Sequence, residues 1–183
     1  MNLKTIILSL ALLLSNGVGP SSQAHAASAR SINVNVDATL NHFYQKVSGS
    51  RELVDRAAGV LVFPSVVKAG MGIGGEYGEG ALRIRNRTQG YFNTVSASFG
   101  FQLGVQSRSV IFLFTSADAL NRFRQTQGWK VGVDASVTVV TIGAGGSIDS
   151  NQINNPVLAF VFDAQGLMYN LTLEGTKISR IQR

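Results

Sequence analysis

The chain reads as an α+β fold: an antiparallel β sandwich or partly closed barrel of short strands with two to three helices, two of them N-terminal. Three observations lead there. Apolar residues at three- and four-residue spacing occupy the segment before Gly59 and one stretch after Thr115. From Gly59 onward, short apolar or alternating runs dominate. Hairpin-length turns join those runs, so helices segregate from strands and the sheet is mainly antiparallel.

Each element has its own signal. Val36, Leu40, Phe43, Tyr44 and Val47 fall on one face of a helix over 36–47. Ser48-Gly49-Ser50 interrupts it, and Arg51 to Ala58 forms a second short helix that turns Leu53, Val54 and Ala57 inward before Gly59 ends it. Val60 to Phe63 is a strand leading to Pro64, which belongs at an edge or bend because it cannot donate to a ladder. Strands are expected over 81–87, 91–97, 99–106 and 109–114, with turns at Thr88-Gln89-Gly90 and Ser107-Arg108. Thr115-Ser116-Ala117-Asp118 fits a capping box with the threonine as cap, opening a helix from about Ser116 to Gln125 that buries Leu120 and Phe123. Strands resume over 129–133, 136–143, 157–162 and 167–173, and the polar segment 149–155 is a loop.

Gly70-Met71-Gly72-Ile73-Gly74-Gly75 has the G-x-G-x-x-G spacing of a dinucleotide-binding loop. That reading requires a helix to follow, yet Gly78 and Gly80 come next, each costing about 1 kcal/mol in a helix interior. The carboxylate expected about 20 residues on is also absent from 91–100. In an extended chain, Gly70, Gly72, Gly74, Gly78 and Gly80 share one face, and a bare face lets another element or a ligand approach the backbone.

Met1 to Lys4 and the apolar run Ile6 to Leu14, followed by Ala24-His25-Ala26, have the order of a signal peptide. Residues 1–26 are therefore expected to be removed, with Ala27-Ser28-Ala29 as a second cleavage pattern. Residues 27–183 then form a single exported domain, periplasmic or secreted. The chain has no cysteine, so neither disulfides nor a lipidated cysteine support it. Loss of Lys4 lowers the formal net charge from +6 to +5, a bias toward anionic partners.

Chemistry-bearing motifs are sparse. His42 is the only histidine after residue 26 and is expected on the surface of its helix; no metal or nucleophile motif accompanies it. Glu76 and Glu79 are the closest carboxylate pair, read as solvated residues of a glycine-rich bend. Arg83, Arg85 and Arg87 alternate with Leu82, Ile84 and Asn86, so a strand would align them as a row facing several phosphates. Lys68, Arg108, Arg122 and Arg124 could extend that row; a solvated edge is the plainer account. Phe99/Phe101, Phe112/Phe114 and Phe160/Phe162 align rings on strands, as a sheet core or lipid-pocket lining.

Taken in order, "GVLVFPSVVKAGMGIGGEYGEGAL", "GYFNTVSASFGFQLGVQSRSVIFLF", "GWKVGVDASVTVVTIGAGGSID" and "GLMYNLTLEGTKISR" resemble the SYLF lipid-binding domain family, in its bacterial exported branch, over about 35–180. The resemblance implies a non-enzymatic domain that binds anionic membranes, without a cofactor or metal. Its eukaryotic relatives look like phosphoinositide binders, some linked to actin; for an exported chain, anionic phospholipids are the expected partners, and neither actin nor nucleic acid is. Lys68, Arg83, Arg85 and Arg87 are the candidate headgroup contacts, and Val36, Leu40, Phe43 and Tyr44 the candidate inserting face. The competing readings are an envelope protein that docks a protein partner on that helix face, an outer-membrane barrel, disfavoured by short strands, and a hydrolase built on Glu76 and Glu79.

Overall fold

The computed structural model describes residues 27–100, 106–140, 154–163, 166–167 and 173–183, with backbone alone at 69–73, 98–100, 163 and 166–167. Residues 1–26 lie outside this set, as do parts of the strands expected over 99–106, 136–143 and 167–173, and most of the 149–155 loop.

Two helices come first. The helix α1 (Ala29–Lys46) starts seven residues earlier than its apolar spacing indicates, because Ser28 caps it by accepting from the Ser31 N–H. Its inward stripe is Ile32, Val36, Leu40 and Phe43. The short α2 (Ser50–Arg56) follows Gly49, whose φ of 77° makes the corner.

The strand β1 (Gly59–Ile84) is 26 residues long, not one of several short strands. Its first part pairs antiparallel with β3 (Gln106–Phe114), and its second with β2 (Arg87–Gly100). The ladder register shifts between Phe63 and Val66, where Pro64 removes a donor and the strand bends. Past the bend the two parts of β1 lie against each other: a Cβ at Gly80 would fall 2.0 Å from the Val62 carbonyl oxygen, and one at Gly78 2.7 Å from that of Ser65. Two of the aligned glycines thus make room for the strand's own backbone.

The helix α3 (Ala117–Gln125) follows β3. Its cap is Ser116, which accepts from the Ala119 N–H; Thr115 instead donates its hydroxyl to the Asn155 carbonyl, tying β3's end to the next strand. The expected strand over 129–133 shortens to β4 (Trp129–Lys130), since Gly132 turns the chain with a φ of 82°. The remaining strands are β5 (Thr138–Val139), β6 (Val157–Asp163), β7 (Gly166–Leu167) and β8 (Lys177–Ile181). The sheet order is β4-β8-β2-β1-β3-β6-β5, with β7 on β6, and the eight strands curl into a partly closed barrel. Among the described strands, every pairing is antiparallel except β5 with β6.

Side chains alternate cleanly across this sheet. One face carries Leu61, Phe63, Val110, Phe112, Phe114, Val157, Ala159 and Val161, covered by Leu120 and Phe123 of α3 and by Trp129. The other carries Val60, Val62, Ile111, Leu113, Leu158, Phe160 and Phe162, covered by α1. The described phenylalanine pairs are therefore core: Phe112 meets Trp129 edge to face, and Phe160 lies tilted against Phe43 with ring centroids 4.7 Å apart. Only β1, β2 and β3 reach the length a membrane barrel needs, and α1 and α3 cover the apolar faces that such a barrel would turn to lipid.

Candidate functional site

The basic row takes a different form from a strand face. Ile84 pairs with Arg87, so Arg85 and Asn86 are the two residues of a tight hairpin turn, with φ of 49° and 61°. The turn expected at 88–90 therefore falls three residues earlier, and Arg83, Arg85 and Arg87 are not aligned. Arg83 lies on β1 and is mostly buried: its Nη2 donates to Asp37 Oδ1 at 2.7 Å, and its Nε is buried without a partner. Asn33, one turn before Asp37, holds the Tyr91 hydroxyl at 2.9 Å and accepts from Thr88 at 2.8 Å. These contacts clamp α1 onto the β1–β2 hairpin.

Arg85 and Arg87 are exposed at the hairpin tip. Arg180 of β8 joins them; its guanidinium lies over Gly90 and donates to the Gln89 carbonyl at 3.3 Å. None of the three is in an ion pair among the described residues. Arg180 was legible only through the β2–β8 pairing, which no local pattern announces. Lys68 is half-buried opposite Gln106. It is 15 residues from Arg83 along β1, where the strand pairs with β3 and not with β2, and does not join the tip.

The apolar helix face also takes a different role. Val36 and Phe43 have no exposed surface and Leu40 keeps 7%, all three packed on the sheet. Tyr44 is half-buried at the margin with the Arg51 guanidinium 4.3 Å above its ring. Burial raises its phenol pKa, partly offset by Arg51. With α1 docked, this face is core and is not free to enter a membrane or meet a partner.

Glu76 and Glu79 are strand residues, not solvated bend residues, and three positions apart they point to opposite faces. Glu76 is buried; its Oε2 accepts from Arg108 Nη2 at 2.5 Å and from Ser96 at 3.1 Å. Arg108 is thereby spent inside the fold and adds nothing to a surface patch. Glu79 accepts from the Tyr77 hydroxyl at 2.6 Å, from Arg183 and from the Ala27 N–H at 3.2 Å. Burial pushes the Glu79 pKa up, but the Tyr77 and Arg183 hydrogen bonds outweigh it and the net shift is downward. Each carboxylate is thus neutralised by its own arginine, which leaves no acid/base pair.

His42 is half-buried, not a fully exposed surface residue. Its ring stacks on Phe162 at 5.4 Å between centroids, and its Nε2 is buried without a partner. It borders a cavity of about 340 Å³ between α1 and the bend, with Thr39, Pro64, Ser107, Arg108 and Phe162. The hydroxyls of Ser107 and Ser109 there are occupied by Ser65 and the Pro64 carbonyl. Among the described residues no three His, Cys, Asp or Glu side chains gather as a metal site would require.

Arg122 and Arg124 are exposed on α3, away from the hairpin in sequence and in element. The described basic surface with unpaired guanidiniums at a common place is therefore the tip of Arg85, Arg87 and Arg180.

No curated protein matches the chain. A family model does: Ysc84, described as Las17-binding protein actin regulator, matches residues 95–183, from the middle of β2 to the end of β8. This family, which the SYLF resemblance anticipates, is one of lipid- and actin-related binding proteins and not of enzymes. Over residues 95–183 the chain is thus similar to the Ysc84 (SYLF) domain family, in agreement with the resemblance read from its ordered motifs.

Proposed function

We propose that this protein is a non-enzymatic, exported lipid-binding protein whose β1–β2 hairpin tip contacts anionic phospholipid headgroups. The observation that carries the reading is the tip itself, where Arg85 and Arg87 are exposed, the Arg180 guanidinium lies on the nearby Gln89 carbonyl, and none of the three is in an ion pair among the described residues. Planar guanidiniums suit phosphate oxygens, and near an anionic surface each contributes about 1 kcal/mol that salt removes. Lys68 and Arg83 drop out of the contact set, one remote and the other spent on Asp37. Insertion through Val36, Leu40 and Phe43 would require α1 to leave the sheet, so the docked form binds by charge. A half-buried histidine without a catalytic partner and the arginine-paired carboxylates support the absence of a reaction.

Co-sedimentation of residues 27–183 with vesicles tests this. Binding is expected to phosphatidylglycerol vesicles and not to phosphatidylcholine vesicles, to weaken in high salt, and to fall roughly 100-fold in the Arg85→Glu, Arg87→Glu, Arg180→Glu variant. Binding that ignores lipid charge, or that survives the triple variant unchanged, overturns the assignment of the tip. No binding to either vesicle in the folded protein moves the function to a protein partner.

A further inference from the structure

Ala24-His25-Ala26 and Ala27-Ser28-Ala29 both fit a cleavage pattern, and the structure separates them. Ala27 packs against the α1 side of the core, and its backbone N–H lies 3.2 Å from Glu79 Oε2. Ser28 supplies both the side-chain cap of α1 and the carbonyl that accepts from the Ile32 N–H at 2.9 Å. Cleavage after Ala29 would remove the packing, the cap and that acceptor together. Cleavage after Ala26 would keep all three.

We propose that the chain is matured between Ala26 and Ala27, and that the new α-ammonium of Ala27 forms an ion pair with Glu79. This rests on the export reading of residues 1–26 and is independent of lipid binding. The step is a hydrolysis by a signal peptidase acting before folding: the Ala26–Ala27 C–N bond breaks, and water supplies OH to the Ala26 carboxyl and H to the amine. The amine takes a further proton from solvent, so an amide hydrogen bond becomes a charge-assisted one.

The receiving site is already built. Glu79 keeps only 10% of its side-chain surface exposed, and its two oxygens divide the work: Oε1 takes Tyr77 and Arg183, and Oε2 faces Ala27. A second, independent feature is that α1 has no acidic residue in its first turn, where the helix dipole favours negative charge. The Glu79 carboxylate at Ala27 supplies it from β1. Around the amine stand Glu79 and Tyr77 of β1, Arg183 beyond β8, and Arg30 exposed on the first turn of α1, with Asn93 of β2 paired opposite Glu79. Glu79 is the only carboxylate among them.

The test starts from the full chain expressed in a bacterium with an intact export system, its exported form read by intact mass and N-terminal sequencing. A start at Ala27 is expected. A start at Arg30 overturns the proposal, and retention of residues 1–26 overturns the export reading with it. The ion pair is then tested by urea unfolding of the mature protein beside a form extended by one N-terminal glycine, which moves the amine but leaves Glu79, Tyr77 and Arg183 in place. An α-amine paired with Glu79 has its pKa raised above the ordinary value of about 7.7–8.0. Its stabilisation is therefore present below that value and lost as pH rises through the raised one. Between pH 7 and pH 10 the folding constant of the mature protein should fall about tenfold more than that of the extended form; an equal fall overturns the pairing.

Discussion

Arg85 occupies a left-handed backbone conformation, with φ of 49°, that a side chain bearing a Cβ adopts at a cost of about 1–2 kcal/mol. Asparagine and glycine are the usual occupants of a two-residue hairpin turn, and Asn86 fits that preference. An arginine there places a long cation at the outermost point of the hairpin, where neighbouring structure holds the strain. Replacement by glycine separates stability from binding. Strain relief of about 1–2 kcal/mol opposes an entropic loss of about 0.5–1 kcal/mol, so Arg85→Gly should unfold at the same or a higher urea concentration. The same variant should bind anionic vesicles roughly fivefold more weakly, by loss of one surface cation. A clear fall in the urea midpoint would show that the arginine is structural.

At the scale of the element, β1 is the unusual part. A strand of 26 residues changes partner from β3 to β2 and folds onto its own earlier backbone at Gly78 and Gly80. Gly80→Ala would set a methyl 2.0 Å from a backbone oxygen that neighbouring ladders hold, so a loss of about 3 kcal/mol is expected in urea unfolding, the upper part of the overpacking range. Gly75 provides the control within the same strand: a Cβ there would meet its nearest atom at 3.8 Å, an ordinary contact. Gly75→Ala should be neutral or stabilise by up to about 1 kcal/mol. Equal losses at the two positions would refute this self-contact as the reason for the glycines. Parity in the sequence exposed the bare face, but the sequence contains no sign of what approaches it, because the partner is a segment 13 to 18 residues earlier in the same strand.

Over the whole molecule, Glu79 links the start of the described chain, the last third of β1 and the segment after β8. Its lowered pKa has a direct consequence for acid stability. A carboxylate with a folded pKa below its ordinary value of 4.5 stabilises the fold above that value and loses this contribution as pH falls through the folded pKa. Tyr77 has the opposite sign: burial first, then its hydrogen bond to Glu79, raise its pKa above 10.0, so its contribution persists below pH 10 and is lost on going higher. Urea midpoints should therefore decline below about pH 4.5 and again above about pH 10. Glu79→Gln should flatten the acid limb, while an unchanged limb would move the acid sensitivity to other carboxylates. Arg183 and Tyr77 also hold this carboxylate, so the variant should lower the midpoint at neutral pH as well.

Short-range physics was legible throughout. Helical spacing marked α1, α2 and α3, and alternation marked most of the strand material. The glycine and proline positions marked the bend at Pro64, and the ordered motifs over 35–180 marked the family that residues 95–183 bear out. What tertiary structure decided was the use of each charged or apolar group. Val36 and Phe43 look alike to a helical wheel whether they face lipid or sheet, and only the docking of α1 on Phe160 and Phe162 makes them core. Arg83, Arg85 and Arg87 have equal claims as a sequence row, but a turn at 85–86 and an aspartate 46 residues away on α1 separate them. Local pattern depends on backbone period, which sequence carries; pairing between distant charges depends on register and closure, which arise only when the sheet assembles.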